Sequence, residues 1–89
     1  MKKDLKQLKF RCEHRGMREM DILMGDFFNT FFEEFSKEDI FQIDKYIIPL
    51  SDNDLYKCFL GVIIWPQDIS DSLRYKLNIF SKKRGLTDS

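Results

Sequence analysis

Between residues 20 and 35, Met20, Leu23, Met24, Phe27, Phe31 and Phe35 recur at steps of three and four. That spacing puts every one of them on a single face of an α-helix, and no strand period fits it. Phe28 and Phe32 widen the stripe, so the predicted helix over 17–35 is central and buried on more than one side. A long helix with so broad an apolar face is stable only if other elements cover it. The rest of the chain must therefore supply that cover.

What remains reads as more short helices. The chain has only two prolines and four glycines to interrupt it. Residues 4–14 carry Leu5, Leu8 and Cys12 on one face, with cations between them. Arg11, His14 and Arg15 fall in or just past the last turn, where the helix dipole favours positive charge. Gly16 fits the C′ position that ends a helix with positive φ. Glu19 falls in the first turn of the central helix, against unpaired backbone N–H groups. Ser36 opens S-K-E-D, a capping box with Asp39 at N3. Ile40, Ile43, Ile47 and Leu50 then mark a third helix that Pro49 ends or distorts. S-D-N-D at 51–54 is a turn with several candidate N-caps. Leu55, Cys58 and Phe59 face inward from a fourth helix that Gly61 stops. VIIW at 62–65 is extended or a helix end, and four residues of pattern cannot decide. Pro66 suits the first turn of a fifth helix with Ile69, Leu73, Leu77 and Phe80 inside. Residues 81–89 read as a polar, frayed tail. The expectation is one domain over 1–89: an all-α, compact bundle of five short helices.

Length and charge restrict the function. A chain of 89 residues buries about 60–65% of its unfolded surface, a modest core with little room for a deep substrate pocket. Fifteen basic and fifteen acidic residues cancel, whereas nucleic-acid binders carry a basic excess. Cys12 and Cys58 have no CxxC spacing and His14 is the single histidine, so a four-ligand zinc site has no donor set. The cysteines read as reduced thiols. The first ten residues lack the apolar core of a signal peptide and the Arg/Ser bias of a transit peptide. No apolar run has the length of a membrane span.

Most chemistry-bearing residues have an ordinary structural reading. His14 beside Glu13 or Glu19 is a poor acid–base pair and a good surface residue at a helix end. Cys12 and His14, two apart, lie on different sides of a helix. Glu33, Glu34, Glu38 and Asp39 read as a solvated face, and Lys82, Lys83 and Arg84 as a solubilising run. A helix-turn-helix with Gly16 in the turn would need a polar, basic recognition helix, and the one that follows is Met- and Phe-rich. RGMRE at 15–19 is left. Arg11, Arg15 and Arg18 crowd this corner, and outward-facing arginines on a neutral protein suit recognition of carboxylates or phosphates.

The run FRCEHRGMREMDILMGDF (10–27) resembles the signature of the SdhE family, assembly factors for the flavoprotein subunit of succinate dehydrogenase. Its RGxxE motif is matched by Arg15, Gly16 and Glu19, its flanks by Arg11, Asp21, Leu23 and Phe27. SDNDLY (51–56) is similar to the family's acidic turn through Asp52, Asp54 and Leu55. His14 stands where the family commonly has Arg, and Cys58 where it commonly has Trp. The resemblance implies a bacterial, cytoplasmic, monomeric, non-enzymatic chaperone-like factor. It would bind the flavoprotein subunit, with fumarate reductase as another candidate client, and promote covalent attachment of FAD. The factor would hold no cofactor stably; it acts on the client's FAD. The resemblance makes Arg15, Gly16, Glu19, Arg11 and Arg18 the partner-binding residues. Neither metal ligands nor catalytic residues are expected. The alternative reading is a small helical interaction module, such as an antitoxin-like regulator or nucleic-acid binder.

Overall fold

The structure, a computed structural model, describes residues 2–87, with side chains from Leu5 onward. Five α-helices follow one another: α1 (Lys2–Glu13), α2 (Arg18–Phe31), α3 (Lys37–Gln42), α4 (Asp52–Phe59) and α5 (Asp71–Lys83). A 3₁₀ turn, Phe32–Glu34, extends α2, and a π-helical turn, Ile43–Ile47, extends α3. No strand occurs among the described residues. The all-α bundle expected from the sequence is therefore the fold observed.

The central stripe does what its spacing requires. Met20, Met24, Phe27 and Phe28 are buried, and Leu23 and Phe31 nearly so. Phe27 is the hub: its ring lies 5.5–6.5 Å from those of Phe31, Phe35, Phe59 and Phe80. The 80-face of α5 and the 59-face of α4 thus close over α2. Offset and edge-on aromatic pairs at such separations add stability beyond the area they bury. Gly25 lets α1 come close, because a Cβ there would stand 3.1 Å from Cγ of Glu13.

The ends of the elements depart from expectation in four places. First, α2 stops at Phe31, not Phe35. The backbone tightens through the 3₁₀ turn and leaves extended at Phe35 (φ −72°, ψ 128°). That path swings Phe35 back onto Phe27 and Phe28 and leaves Phe32 exposed rather than widening the buried face. Second, the third helix does not run as one α-helix to Leu50. Its capping box forms as read, Ser36 Oγ accepting from Asp39 N and Asp39 Oδ2 from Ser36 N. Beyond Gln42 the register widens, with Ile48 N donating to Ile43 O. Pro49 then ends it, having no N–H to continue the ladder.

Third, Pro66 is not in a helix. Helix α5 begins at Asp71, with Ser70 as N-cap accepting from Leu73 N at 3.2 Å. VIIW forms neither strand nor helix. Val62, Ile63 and Ile64 are exposed, and only Trp65 is buried, edge-on to Phe59 and donating to Asn78 Oδ1. Fourth, fraying does not begin at residue 81. Ser81 is buried, Leu86 packs on the core, and Leu86 N donates to Ser81 O. Residues 88 and 89 of the expected tail lie outside the described residues. Gly61 behaves as read: at φ +77° it closes α4 with paired bonds, Gly61 N to Cys58 O and Val62 N to Lys57 O, the arrangement a left-handed glycine permits.

A buried polar cluster ties α3 to α5. Asp39, 2% exposed, accepts from Lys76 Nζ at 3.1 Å, and Gln42 Oε1 accepts from Ser70 N at 2.8 Å. Each buried polar group here has its partner, which is the condition for tolerating it.

Candidate functional site

The corner between α1 and α2 is built around residues 14–17. Gly16 has φ +102°, a region open to glycine and rarely to other residues. It lies one position past the C′ site expected for it, and the turn has its own closure: Arg15 N donates to an Asp21 carboxylate oxygen. Met17 enters α2 extended (φ −119°, ψ 121°), and its side chain makes no capping bond.

Arg15 does not face outward, and that expectation is corrected. Its side chain is 8% exposed. Nε donates to Asp52 Oδ1 at 2.7 Å, Nη1 to Ile48 O at 3.0 Å and Nη2 to Leu50 O at 2.5 Å. The planar fork of the guanidinium spans two carbonyls and a carboxylate at once, a task lysine cannot match. The sequence rule that put a cation at a helix C-terminus holds, but for another helix. Ile48 and Leu50 carry carbonyls just past the π turn, so Arg15 caps the third helical segment rather than its own.

Nor do the three arginines form one free patch. Arg11 pairs with Asp44, both half exposed. Arg15 and Arg11 line one shallow depression with Phe10, His14 and Ile48. Arg18 and Glu19 are exposed in the first turn of α2, and no hydrogen bond or ion pair engages them among the described residues.

Beside them runs a groove of about 350 Å³ lined by Met17, Glu19, Met20, Asp52, Asn53 and Tyr56. Its walls come from α2 and α4, the two elements that Arg15 fastens together through Asp52. Met17 and Tyr56, 49% and 43% exposed, give it an apolar rim. The sequence reading missed Met17, Asn53 and Tyr56 as groove residues. The available signal was that Met17 and Tyr56 are large apolar residues outside their helices' buried periodicity.

The other reactive side chains are occupied or insulated. The Cys12 thiol is fully buried, and desolvation pushes its pKa up to about 12 despite the nearby Arg15. Burial likewise raises that of Cys58, whose Sγ–H donates to Ile64 O. His14 stacks on Phe10 with ring centroids 4.2 Å apart. Of the acids at the α2–α3 link, Asp39 is taken by Lys76 and Glu38 by Gln42. Among the described residues no three His, Cys, Asp or Glu side chains converge as a metal site.

The fold and this corner define a class: a small all-α protein in which a buried arginine of the α1–α2 turn staples the approach to α4 beside an open groove. The chain belongs to the Sdh5 family, flavinator of succinate dehydrogenase, whose profile matches residues 6–86. The match runs from within α1 through the whole of α5 and includes both partners of the Arg15–Asp52 pair. Comparison with curated proteins and with solved structures found no match. Among the described residues no helix is long and apolar enough to cross a membrane.

Proposed function

We propose that this chain binds the flavoprotein subunit of succinate dehydrogenase and promotes covalent attachment of FAD to a histidine of that subunit. The observation that carries the reading is the family match over residues 6–86. The corner supports it with unengaged Arg18 and Glu19 beside an apolar-rimmed groove. In this reading the chain is an assembly factor, not the enzyme. The flavin and the client's histidine supply the bond chemistry, and the chain supplies positioning of client groups. It holds no flavin stably itself, and acts as a monomer in the bacterial cytoplasm, on the fumarate reductase flavoprotein as well.

The residues divide by role. Glu19 and Arg18 make charge-assisted bonds to the client. Gly16 admits the client's backbone: a Cβ built there meets nothing within 4 Å, so the space beside it is open. Arg15 acts from inside, holding α4 against the corner so that the groove keeps its shape. Arg11 belongs to a neighbouring face.

Co-expression with the flavoprotein subunit, read by in-gel fluorescence of covalent flavin, tests this. Glu19→Gln and Arg18→Ala alter only exposed side chains and leave the fold intact. They are expected to lower flavin attachment. If both variants support attachment at the unmodified level, the corner is not the docking site. If the unmodified chain fails to raise attachment above the flavoprotein alone, the functional reading is wrong.

A further inference from the structure

A second concave surface lies away from the Glu19 groove, between α1 and α3. Leu5, Leu8 and Ile40 form its floor, and Arg11, Lys37 and Phe41 stand on its rim; its volume is about 280 Å³. A neighbouring depression shares Arg11 and adds Lys6 and Phe10. Lys45 completes the set, its Nζ 5.3 Å from the centre of the Phe41 ring.

Four cations thus gather on one strip of a protein whose net charge is zero. Among the described residues the acid lining these depressions is Asp44; its pairing with Arg11 cancels both charges and leaves Lys6, Lys37 and Lys45 as the strip's unpaired cations. Glu38, next to Lys37 in sequence, is held by the Gln42 amide and keeps its charge, so the strip carries an excess of cations rather than cations alone. The balancing acids lie on other faces, such as Glu33 and Glu34 on the depression beside Asn29 and Thr30. The strip therefore has a local positive field that an acidic partner would feel during approach.

Two large aromatics are exposed along the same strip, Phe10 at 61% and Phe41 at 58%. The core is closed without them: the ring cluster around Phe27 uses Phe31, Phe35, Phe59 and Phe80. Aromatic and arginine side chains over an apolar floor are the composition of an interface core. The π turn at 43–47 begins two residues after Phe41, and such turns recur at functional places in helices.

Size and chemistry select the occupant. The cleft is slightly below the range of roughly 300–1,000 Å³ in which small-molecule sites fall, which suits an inserted apolar side chain. The aliphatic floor offers nothing to a phosphate or sugar, whereas carboxylates flanking that side chain would meet the rim cations. From this we infer that the α1–α3 cleft is a second contact surface, taking a client segment with an apolar side chain flanked by carboxylates. The inference rests on the assembly-factor reading and adds to it a surface separate from the Glu19 groove.

The test measures binding of the full chain to the purified flavoprotein subunit by calorimetry, with two exposed cleft positions altered. Lys37→Glu and Phe41→Ala are each expected to weaken binding about tenfold, the scale of one rim charge or one aromatic anchor. Lys37→Glu should also flatten the salt dependence. A photo-crosslinking benzoylphenylalanine in place of Phe41 should capture a client segment with carboxylates on either side of an apolar residue. If Lys37→Glu and Phe41→Ala bind as the unmodified chain does, while Glu19→Gln binds weakly, the cleft is not a contact and the functional reading stands. If the unmodified chain does not bind the subunit, both fail. A crosslink to a basic segment overturns the inference. So does a dimer of this chain that Lys37→Glu dissociates, or loss of binding only to phosphatidylglycerol vesicles.

Discussion

Replacing Arg15 with alanine should unfold this protein more readily than any other exchange in the RGMRE stretch. Among the described residues the guanidinium is the hydrogen-bond partner shown for one Asp52 oxygen and for the Ile48 and Leu50 carbonyls in the connection to α4. Removing one member of a buried ion pair costs about 3–5 kcal/mol, because its partner is left desolvated. Asp52 keeps 25% of its side-chain surface in water, so partial rehydration puts the expected loss near the lower limit, about 3 kcal/mol. For a domain of this size that is a fall in Tm of about 12–24 °C. It is also a large part of the 5–15 kcal/mol that usually separates folded from unfolded chains. Urea unfolding followed by fluorescence of the single tryptophan, Trp65, reads the change directly, since that ring is buried against Phe59. A double-mutant cycle with Asp52→Asn should return a coupling above about 1 kcal/mol. A loss below about 1 kcal/mol for Arg15→Ala would refute the staple, and with it the explanation of why α4 stays against the corner.

Two further outcomes follow from the same structure. Gly16→Ala should destabilise by about 1–2 kcal/mol, the order of a strained backbone conformation. The cost is conformational alone, since the new Cβ meets no atom; Gly16→Asn should lose less, and equal urea midpoints for all three would contradict the positive φ. The Cys12 thiol has a folded pKa near 12 against 9.0 for the unfolded group. Its contribution to stability is complete below pH 9 and is lost as pH climbs toward 12, at about 1.4 kcal/mol per pH unit. The stability of Cys12→Ala should fall less steeply over that window, and parallel pH profiles would show that the thiol ionises as easily folded as unfolded.

What could be read from the sequence was local. The capping box of Ser36 and Asp39, the Gly61 stop and the Met20–Phe31 stripe depend on neighbours within four residues, and each is where its spacing puts it. Pro66 misled because proline at a helix start is merely tolerated, whereas the hydroxyl of Ser70 satisfies a backbone N–H that would otherwise go unpaired. Ile69 is buried just as an inner helical residue would be, yet sits in the turn before α5. Phe35 kept its inward place on Phe27 and Phe28, while Phe32 left the buried face when the last turn tightened, a change of pitch that no residue spacing encodes. Arg15 was illegible for a different reason. Its acceptors lie 33–37 positions along the chain, and a cation beside a helix end looks the same whichever helix it serves. Glu19 was readable as a first-turn residue of α2; that neither it nor Arg18 has a side-chain partner among the described residues was not. The groove they border was not, because Met17 and Tyr56 meet only when α4 has docked on α2.

That long reach of Arg15 bears on how the protein comes into being. During synthesis the α1–α2 hairpin leaves the ribosome first, carrying an arginine whose acceptors have not yet been made. Closing a loop of this span costs roughly 3 kcal/mol of chain entropy, so the half-finished corner has no means of fixing itself early. It takes its final form only once Asp52 has been added and has folded back. A nascent chain therefore cannot present the assembled groove before α4 has been made and has folded back onto the corner.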